Sequence, residues 1–202
     1  TGDALGLPAY AGKETLPDEQ KLASVLRAER GAHWRAYPAF SSKTVQGKPL
    51  FIYALLGTLS SIQIPEHEER IYRIRHLGSS RLSTAELALR ITDFLDRVPK
   101  TDEPSKRLGA DFRVDEIRAR WDVLLKEEGG RTFAVLRLTV ACASGTYMRS
   151  LAGRIGSALG TNALALSIKR TKIGKYLPLL LDAGFWIRVS WYIFWNGIPG
   201  KK

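Results

Sequence analysis

Residues 132–160 constrain the fold more than any other part of the chain, because two different hydrophobic periods meet there. The first part alternates apolar and polar residues, which predicts a strand over 132–142 with one apolar face. That face carries Leu136, Leu138, Val140 and Cys142. The second part repeats apolar residues at helical spacing up to Gly160, which predicts a helix that ends at this glycine. The apolar stripe of this helix contains Met148, Leu151, Ala152, Ile155 and Leu159. The segment therefore predicts a strand that turns directly into a helix.

Three more helices and strands are predicted from local signals. A helix over 16–30 is favoured by Thr15 as its cap and by Pro17 in its first turn. A short strand is predicted over 163–168, and alternation over 70–75 predicts a strand with one basic face.

A capping box, Ser83 with Glu86, predicts the start of another helix. A further apolar stripe ends at Gly129 and predicts one more. Strands and helices do not alternate regularly, so we expect an α+β domain with a mixed, largely antiparallel sheet flanked by helices.

The charge balance indicates a polyanionic partner. The 202 residues carry 31 Lys+Arg against 20 Asp+Glu, a net charge of +11. Such a surplus is typical of nucleic-acid binding and is shared by proteins of the membrane surface. Cys142 is the single cysteine, which excludes an internal disulfide and favours a reducing cytoplasm. One cysteine and three histidines provide no closely spaced zinc-ligand set.

The turn between the predicted strand and helix, ASGTYMR at 143–149, has two interpretations. In the structural one, Thr146 caps the helix, Tyr147 packs on the sheet and Arg149 is a solvated charge. In the functional one, the arginine holds a carboxylate or a phosphate at an electropositive helix start, where it does little for the helix itself.

Two further segments also have a structural and a functional interpretation. The loop YPAFSSKTVQGKPLF at 37–51 is stiffened by prolines, and its aromatic rings, hydroxyls and Lys43 are also suited to contact RNA. The basic run near residue 170 is either a solvated edge or a track for phosphates. It contains Lys169, Arg170, Lys172 and Lys175.

Taken in order, these segments resemble the TruB-type tRNA pseudouridine synthases, which isomerise the T-loop uridine of tRNA. TGDALG is similar to the family's T-D-T-G-D-x-x-G turn. The loop at 37–51 is similar to its P-x-[YF]-S-[AS]-x-K-x-x-G-x-x-L-[YF] loop. Residues 136–176 resemble the part in which a strand meets G-T-Y-[IM]-R, a helix and A-L-x-x-[IL]-x-R-T. The resemblance covers 1–176, which it implies to be part of a catalytic domain with a pseudouridine-synthase-like sheet and a helical insert at 83–130.

The resemblance implies a role for each matched residue. Tyr147 would line the pocket of the flipped base, Arg149 would pair with the nucleophilic aspartate, and Ile168 would form an apolar wall. The RNA contacts would come from Ser41, Ser42, Lys43, Lys169, Arg170 and Lys172. It also implies the T-arm of tRNA as partner, a monomer, and no cofactor, metal or membrane.

Two departures from the family pattern bear on activity. The nucleophilic aspartate belongs to a G-x-x-D-P-x-A-[TS]-G motif upstream of TGD, and the sequence does not contain that motif. The residues 177–202 lose the family pattern and carry a Trp-rich, hydrophobic tail. We therefore expect these 202 residues not to catalyse on their own and to be a fragment. One alternative is a non-catalytic RNA-binding module or tRNA chaperone. Another, which agrees less well with the motifs, is a membrane-surface protein.

Overall fold

The structure is a computed structural model, and it describes residues 2–8, 16–99, 113–179 and 184–187. Its strands are β1 (Gly31–Ala36), β2 (Thr44–Val45), β3 (Lys48–Pro49), β4 (Glu66–Ser83), β5 (Thr132–Cys142), β6 (Lys175–Pro178) and β7 (Gly184–Ile187). Its helices are α1 (Glu19–Ala28), α2 (Leu50–Leu55), α3 (Thr84–Asp96), α4 (Val114–Glu127) and α5 (Met148–Leu159), with a short 3₁₀ turn at Leu59–Ser61.

The main sheet has the order β1-β4-β5, and both pairings are antiparallel. The pairs β2-β3 and β6-β7 form two small antiparallel sheets. Helices pack on the main sheet and beside it, so the chain has an α+β fold, as the sequence predicts. None of the helices in the described part is long and apolar enough to cross a membrane.

The first hydrophobic core lies between the main sheet and the helices α1 and α5. Its buried members are Leu22, Leu26, Ile71, Ile74, Leu151 and Ile155. The apolar face predicted for β5 packs against them, and β5 has the predicted bounds. Strand β4 departs from simple alternation, because a β-bulge between Ile71 and Arg73 turns both Ile71 and Ile74 inward. This core holds α5 against the end of β5.

The second core is formed by the helical insert, where α3 packs on α4. Its buried helical residues are Leu87, Ile91, Leu95, Ile117, Trp121, Leu124 and Leu125. The indole Nε1–H of Trp121 donates a hydrogen bond of 3.0 Å to the carbonyl of Ala4. The insert is thus tied to the N-terminal turn, which itself lies against the candidate site.

Three sequence predictions about element bounds were wrong. The strand expected over 70–75 is the longer β4, Glu66–Ser83. Helix α1 begins at Glu19 rather than near residue 16, because the side chain of Asp18 caps it by accepting from the Lys21 N–H. Thr15, the predicted cap, lies outside the described residues. The predicted strand at 163–168 is a single parallel bridge between Asp3 and Ala165. Most of the predicted tail, at 180–183 and 188–202, also lies outside the described residues.

Candidate active site

The turn that leads from β5 into α5 places Tyr147 at the N-cap and Arg149 in the first turn of the helix. Gly145 adopts φ +90°, a left-handed conformation that residues other than glycine rarely adopt. Tyr147, rather than the predicted Thr146, is the N-cap residue, and it is extended. The Thr146 hydroxyl instead donates to the carbonyl of Ala143 within the turn.

A buried carboxylate from β4 holds this turn in place. Glu69 is only 3% exposed. It accepts a hydrogen bond of 3.1 Å from the backbone N–H of Tyr147 and another of 3.1 Å from Arg154. Arg154 also pairs with Glu29, at 3.0 Å. Because a buried charge is costly unless it is paired and hydrogen-bonded, these contacts fix α5 relative to α1 and the sheet.

Arg149 joins two segments that are distant in sequence. Its Nη1 lies 3.3 Å from Oδ2 of Asp3, and the two side chains are 24% and 25% exposed. Its Nη2 donates a hydrogen bond of 2.8 Å to the carbonyl oxygen of Phe40. The TGD turn, the loop at 37–51 and the GTYMR turn therefore meet at one guanidinium group.

The N-terminal turn is positioned by two backbone hydrogen bonds to one residue. Ala4 N–H donates to the carbonyl of Ala165, and Ala165 N–H donates to the carbonyl of Gly2. Gly2 has φ +82°, and a Cβ there would lie 3.3 Å from the carbonyl oxygen of Arg149. A side chain at this position would be strained and would crowd α5, so glycine is required for the close approach.

Backbone hydrogen bonds within the loop at 37–51 stabilise it, and some of its side chains are exposed to solvent. Phe51 N–H donates to the Ser41 carbonyl, and Leu50 N–H donates to the Lys43 carbonyl. Ser41 is 4% exposed, and its Oγ has no hydrogen-bond partner among the described groups. Ser42 and Lys43 are exposed. Of the three loop residues predicted to contact RNA, Ser42 and Lys43 therefore reach the surface and Ser41 does not.

Three rings and a lysine form a cluster, here called the ring cluster: Tyr37, His67, Tyr147 and Lys43. Tyr37 stacks on His67 with centroids 3.9 Å apart and planes 19° apart. Tyr147 meets both rings edge-on, at 6.1 Å from Tyr37 and 5.8 Å from His67. Nζ of Lys43 lies 5.2 Å from the centroid of the Tyr37 ring. Flat rings beside a cation are suited to bind nucleotide bases together with a phosphate.

Several known proteins that are similar to this chain carry the name tRNA pseudouridine synthase B. The protein of Bacillus licheniformis is 28% identical over 166 residues, which cover 82% of this chain and 37% of that protein. The protein of Bordetella avium is 26% identical over 184 residues, 90% of this chain and 52% of that protein. A shorter match, to Corynebacterium aurimucosum, is 42% identical over 64 residues, 32% of this chain and 20% of that protein. No family model matches.

Over most of its length the chain is similar to TruB-type proteins, at 26–28% identity. It spans about half the length of these TruB-type relatives or less.

The structure brings some of the residues expected for a TruB-type site together and leaves others on the surface. Tyr147 and Lys43 lie in the ring cluster. Arg149 lies where the TGD turn, the loop at 37–51 and the GTYMR turn meet. Ile168 is 54% exposed, three residues beyond the bridge that joins Ala165 to Asp3. The basic residues Lys169, Arg170 and Lys172 are also exposed.

Sequence reasoning missed His67 and Glu69. The alternation of β4 indicates them, because residues 67, 69 and 71 point to the same face of the strand and Ile71 is buried. Titratable residues on the inward face of a strand need partners, and here the partner is the start of α5. Nε2 of His67 lies 3.1 Å from the carbonyl oxygen of Gly145, so this nitrogen carries a proton and donates it.

Two other features do not contribute chemistry to the site. Burial raises the pKa of the Cys142 thiol, an effect opposed by a hydrogen bond with Thr146 and by the charge of Arg170, so the thiol is protonated at neutral pH. A cavity of about 540 Å³ lies between α3 and α4 and is lined by residues such as Ala88, Leu125 and Lys126, none of them named above for the site. No group of three His, Cys, Asp or Glu side chains in the described ranges could hold a metal ion.

Proposed function

We propose that this chain forms part of the catalytic domain of a tRNA pseudouridine synthase that isomerises the T-loop uridine. The observation that supports it best is the position of Arg149, where the three segments of the family resemblance converge. The name shared by the relatives agrees with this proposal. In this reaction the C–N glycosidic bond of the uridine breaks and a C–C bond forms; the ring carbon that joins the ribose loses a proton and the freed nitrogen gains one, so no atom is gained or lost overall and no cofactor is needed.

Each residue of the site has a part in the proposal. The uridine leaves the stack and lies against Tyr147, which lines the pocket with Ile168 as an apolar wall. Arg149 holds carboxylates at the start of α5, where the helix dipole favours negative charge. The nucleophile is an aspartate of the upstream motif that these 202 residues do not contain, and Arg149 orients it while it keeps its contact with Asp3.

The proposed partner is the T-arm of tRNA. The net charge of +11 provides sequence-independent attraction to the phosphates. Exposed Ser42 and Lys43 contact the RNA from the loop, while buried Ser41 supports the loop from inside. The exposed basic run around Arg170 follows the backbone of the RNA. The protein acts as a monomer in the cytoplasm, where tRNA is modified.

A second candidate function is RNA binding without catalysis. One observation favours it: the cation that would orient a nucleophile already has a carboxylate partner in Asp3, which belongs to the TGD turn. A module of this kind would bind the T-arm and assist its folding.

The test measures binding and product in parallel. The chain is titrated with a T-arm hairpin and with a hairpin of the same stem closed by an unrelated loop. Pseudouridine is mapped by chemical modification and primer extension, for the chain alone and for a polypeptide that also carries the upstream aspartate motif. The proposal predicts preference for the T-arm hairpin, with product only from the longer polypeptide. Binding without product from either polypeptide supports the second function, and equal binding of both hairpins contradicts both. Product from the 202 residues alone would place the nucleophile within this chain.

A further inference from the structure

The ring cluster presents a flat surface whose support is already fixed. His67 covers one face of Tyr37 at stacking distance, so the ammonium of Lys43 lies over the other face. The first face is closed by the His67 ring, whereas the contact recorded on the second is with Lys43, a long and exposed side chain. A second flat group can therefore reach the Tyr37 ring once Lys43 moves aside.

The ring beneath Tyr37 is rigidly held. His67 donates to the Gly145 carbonyl, its Nε2 lies 3.7 Å from Oε1 of Glu69, and its side chain is 12% exposed. Glu69 in turn is fixed by Tyr147 and Arg154. A surface that is ordered before binding loses little conformational entropy when a ligand arrives, which favours affinity.

The chemistry of the cluster indicates the ligand. An aromatic face binds any base by stacking, and a lysine beside it neutralises a phosphate, which is the combination used for unpaired nucleotides. The rings of Tyr37 and Tyr147 are 6.1 Å apart. A nucleic-acid strand advances by about 3.4 Å for each stacked nucleotide, and by more where the bases are splayed apart. Neighbouring nucleotides of one RNA loop can therefore reach both rings.

We propose that Tyr37 is a second base-binding position, which stacks one unpaired RNA base next to the base held at Tyr147. Lys43 leaves the face of the Tyr37 ring and pairs with the phosphate of that nucleotide. The inference rests on the proposed function for the identity of the partner as RNA. It adds a position for a neighbouring base, held by Tyr37 and supported from below by His67.

The experiment compares a T-arm hairpin with the same hairpin carrying abasic loop nucleotides, which keeps every phosphate and removes the bases. Wild-type protein binds the abasic hairpin about 5- to 100-fold more weakly. Tyr37→Leu, which keeps apolar volume without a flat ring, lowers affinity for the intact hairpin about 5- to 20-fold and changes affinity for the abasic one less than about twofold. Tyr37→Phe retains the wild-type affinity for both, because the ring remains.

Matched variants separate stacking from charge and from loss of structure. Lys43→Gln lowers affinity for both hairpins and reduces the salt slope of binding by about 0.7–0.9. Tyr72→Leu is the control, since Tyr72 lies on the same strand as His67 and contacts Tyr176 instead. It leaves both affinities unchanged.

Three outcomes would overturn the inference. They are equal wild-type affinity for the two hairpins, equal weakening of both by Tyr37→Leu, and full affinity of Tyr37→Leu for the intact hairpin. The first outcome needs no variant, so the inference stays testable even if Tyr37→Leu does not fold. Failure of wild-type protein to bind any hairpin would instead remove the proposed function, and this inference with it.

Discussion

At the scale of single residues, Arg149 is placed by two contacts of different kinds. The ion pair with Asp3 is partly exposed, so water weakens it, whereas the hydrogen bond to the Phe40 carbonyl is short and charge-assisted. Removal of the guanidinium therefore removes one contact to the TGD turn and one to the loop at 37–51, while the backbone hydrogen bonds of both segments remain. The arginine organises the site even before any RNA is bound.

A double-mutant cycle measures the ion-pair contribution. We expect Arg149→Ala to lower the free energy of unfolding by about 1–2 kcal/mol in urea denaturation. Asp3→Asn should cost less, and the two changes should couple by about 0.5–1 kcal/mol, because each removes the same pair. Strictly additive effects would show that the Asp3 contact contributes nothing to stability.

The Cys142 thiol provides a probe of the end of β5. Its pKa is raised by burial above 9.0, the ordinary value for a thiol. The rate of alkylation by iodoacetamide should therefore reach half its maximum above pH 9.0, and stability should be independent of this group below pH 9.0 and fall as the pH rises further.

Arg170→Gln removes a charge that favours the Cys142 thiolate, so it should move the alkylation midpoint still higher, with Lys126→Gln as the control of equal charge. A wild-type midpoint below pH 9.0 would contradict the burial of this thiol.

At the scale of elements, the predictions that succeeded rest on local signals. Helix α3 begins at its capping box, in which Ser83 Oγ accepts from the Glu86 N–H and the Glu86 carboxylate accepts from the Ser83 N–H. Helix α5 ends at Gly160 with φ +84°, and β5 has the bounds that its alternation predicts.

The predictions that failed depend on tertiary contacts. The N-cap of α5 is Tyr147 and not Thr146, and its N–H is held by a carboxylate of β4, 78 residues away in sequence. The segment at 163–168 pairs with the N-terminal turn through Ala165 alone. For the site, the sequence motifs indicated Tyr147, Arg149 and Lys43, whereas the stack of Tyr37 on His67 depends on two strands that the fold brings together. No local pattern contains that information.

The capping box of α3 predicts how stability depends on acid. The pKa of Glu86 is lowered, chiefly by the Ser83 backbone N–H and then by the Ser83 hydroxyl. A carboxyl with a lowered pKa in the folded state contributes stability above its unfolded pKa of 4.5, and this is lost as the pH falls below that value.

Measurements of stability against pH should therefore show a smaller loss between pH 4.5 and 3 for Glu86→Gln than for the wild type. Ser83→Ala should cost about 1 kcal/mol at neutral pH. An identical acid dependence in Glu86→Gln and wild type would contradict the capping role.

At the scale of the whole molecule, the described residues form two hydrophobic cores in a chain of high net positive charge. The core beneath the main sheet fixes α5, while the insert is joined to the N-terminal turn through Trp121. The molecule carries a net charge of +11. We therefore expect the net charge of the whole molecule to cause the long-range attraction to RNA, and the residues of the site to determine which bases are bound.

The salt dependence of RNA binding tests where the phosphates lie. We expect the double variant Lys169→Gln/Lys172→Gln to bind the T-arm hairpin more weakly, with a slope of log affinity against log salt reduced by about 0.7–0.9 for each lost contact. Lys126→Gln, on the helical insert, is the control of the same charge type and should leave the slope unchanged. An unchanged slope in the double variant would show that the basic run faces away from the RNA.

The most direct test of the account is a photocrosslink from the T-loop uridine itself. A T-arm hairpin carries 4-thiouridine at that position, is irradiated in complex with the chain, and the crosslinked peptide is identified by mass spectrometry. We expect attachment at the peptide that contains Tyr147 and Arg149, or at the loop between Tyr37 and Lys43. Attachment to helices α3 or α4, or to the β6-β7 pair, would contradict the assignment of the site.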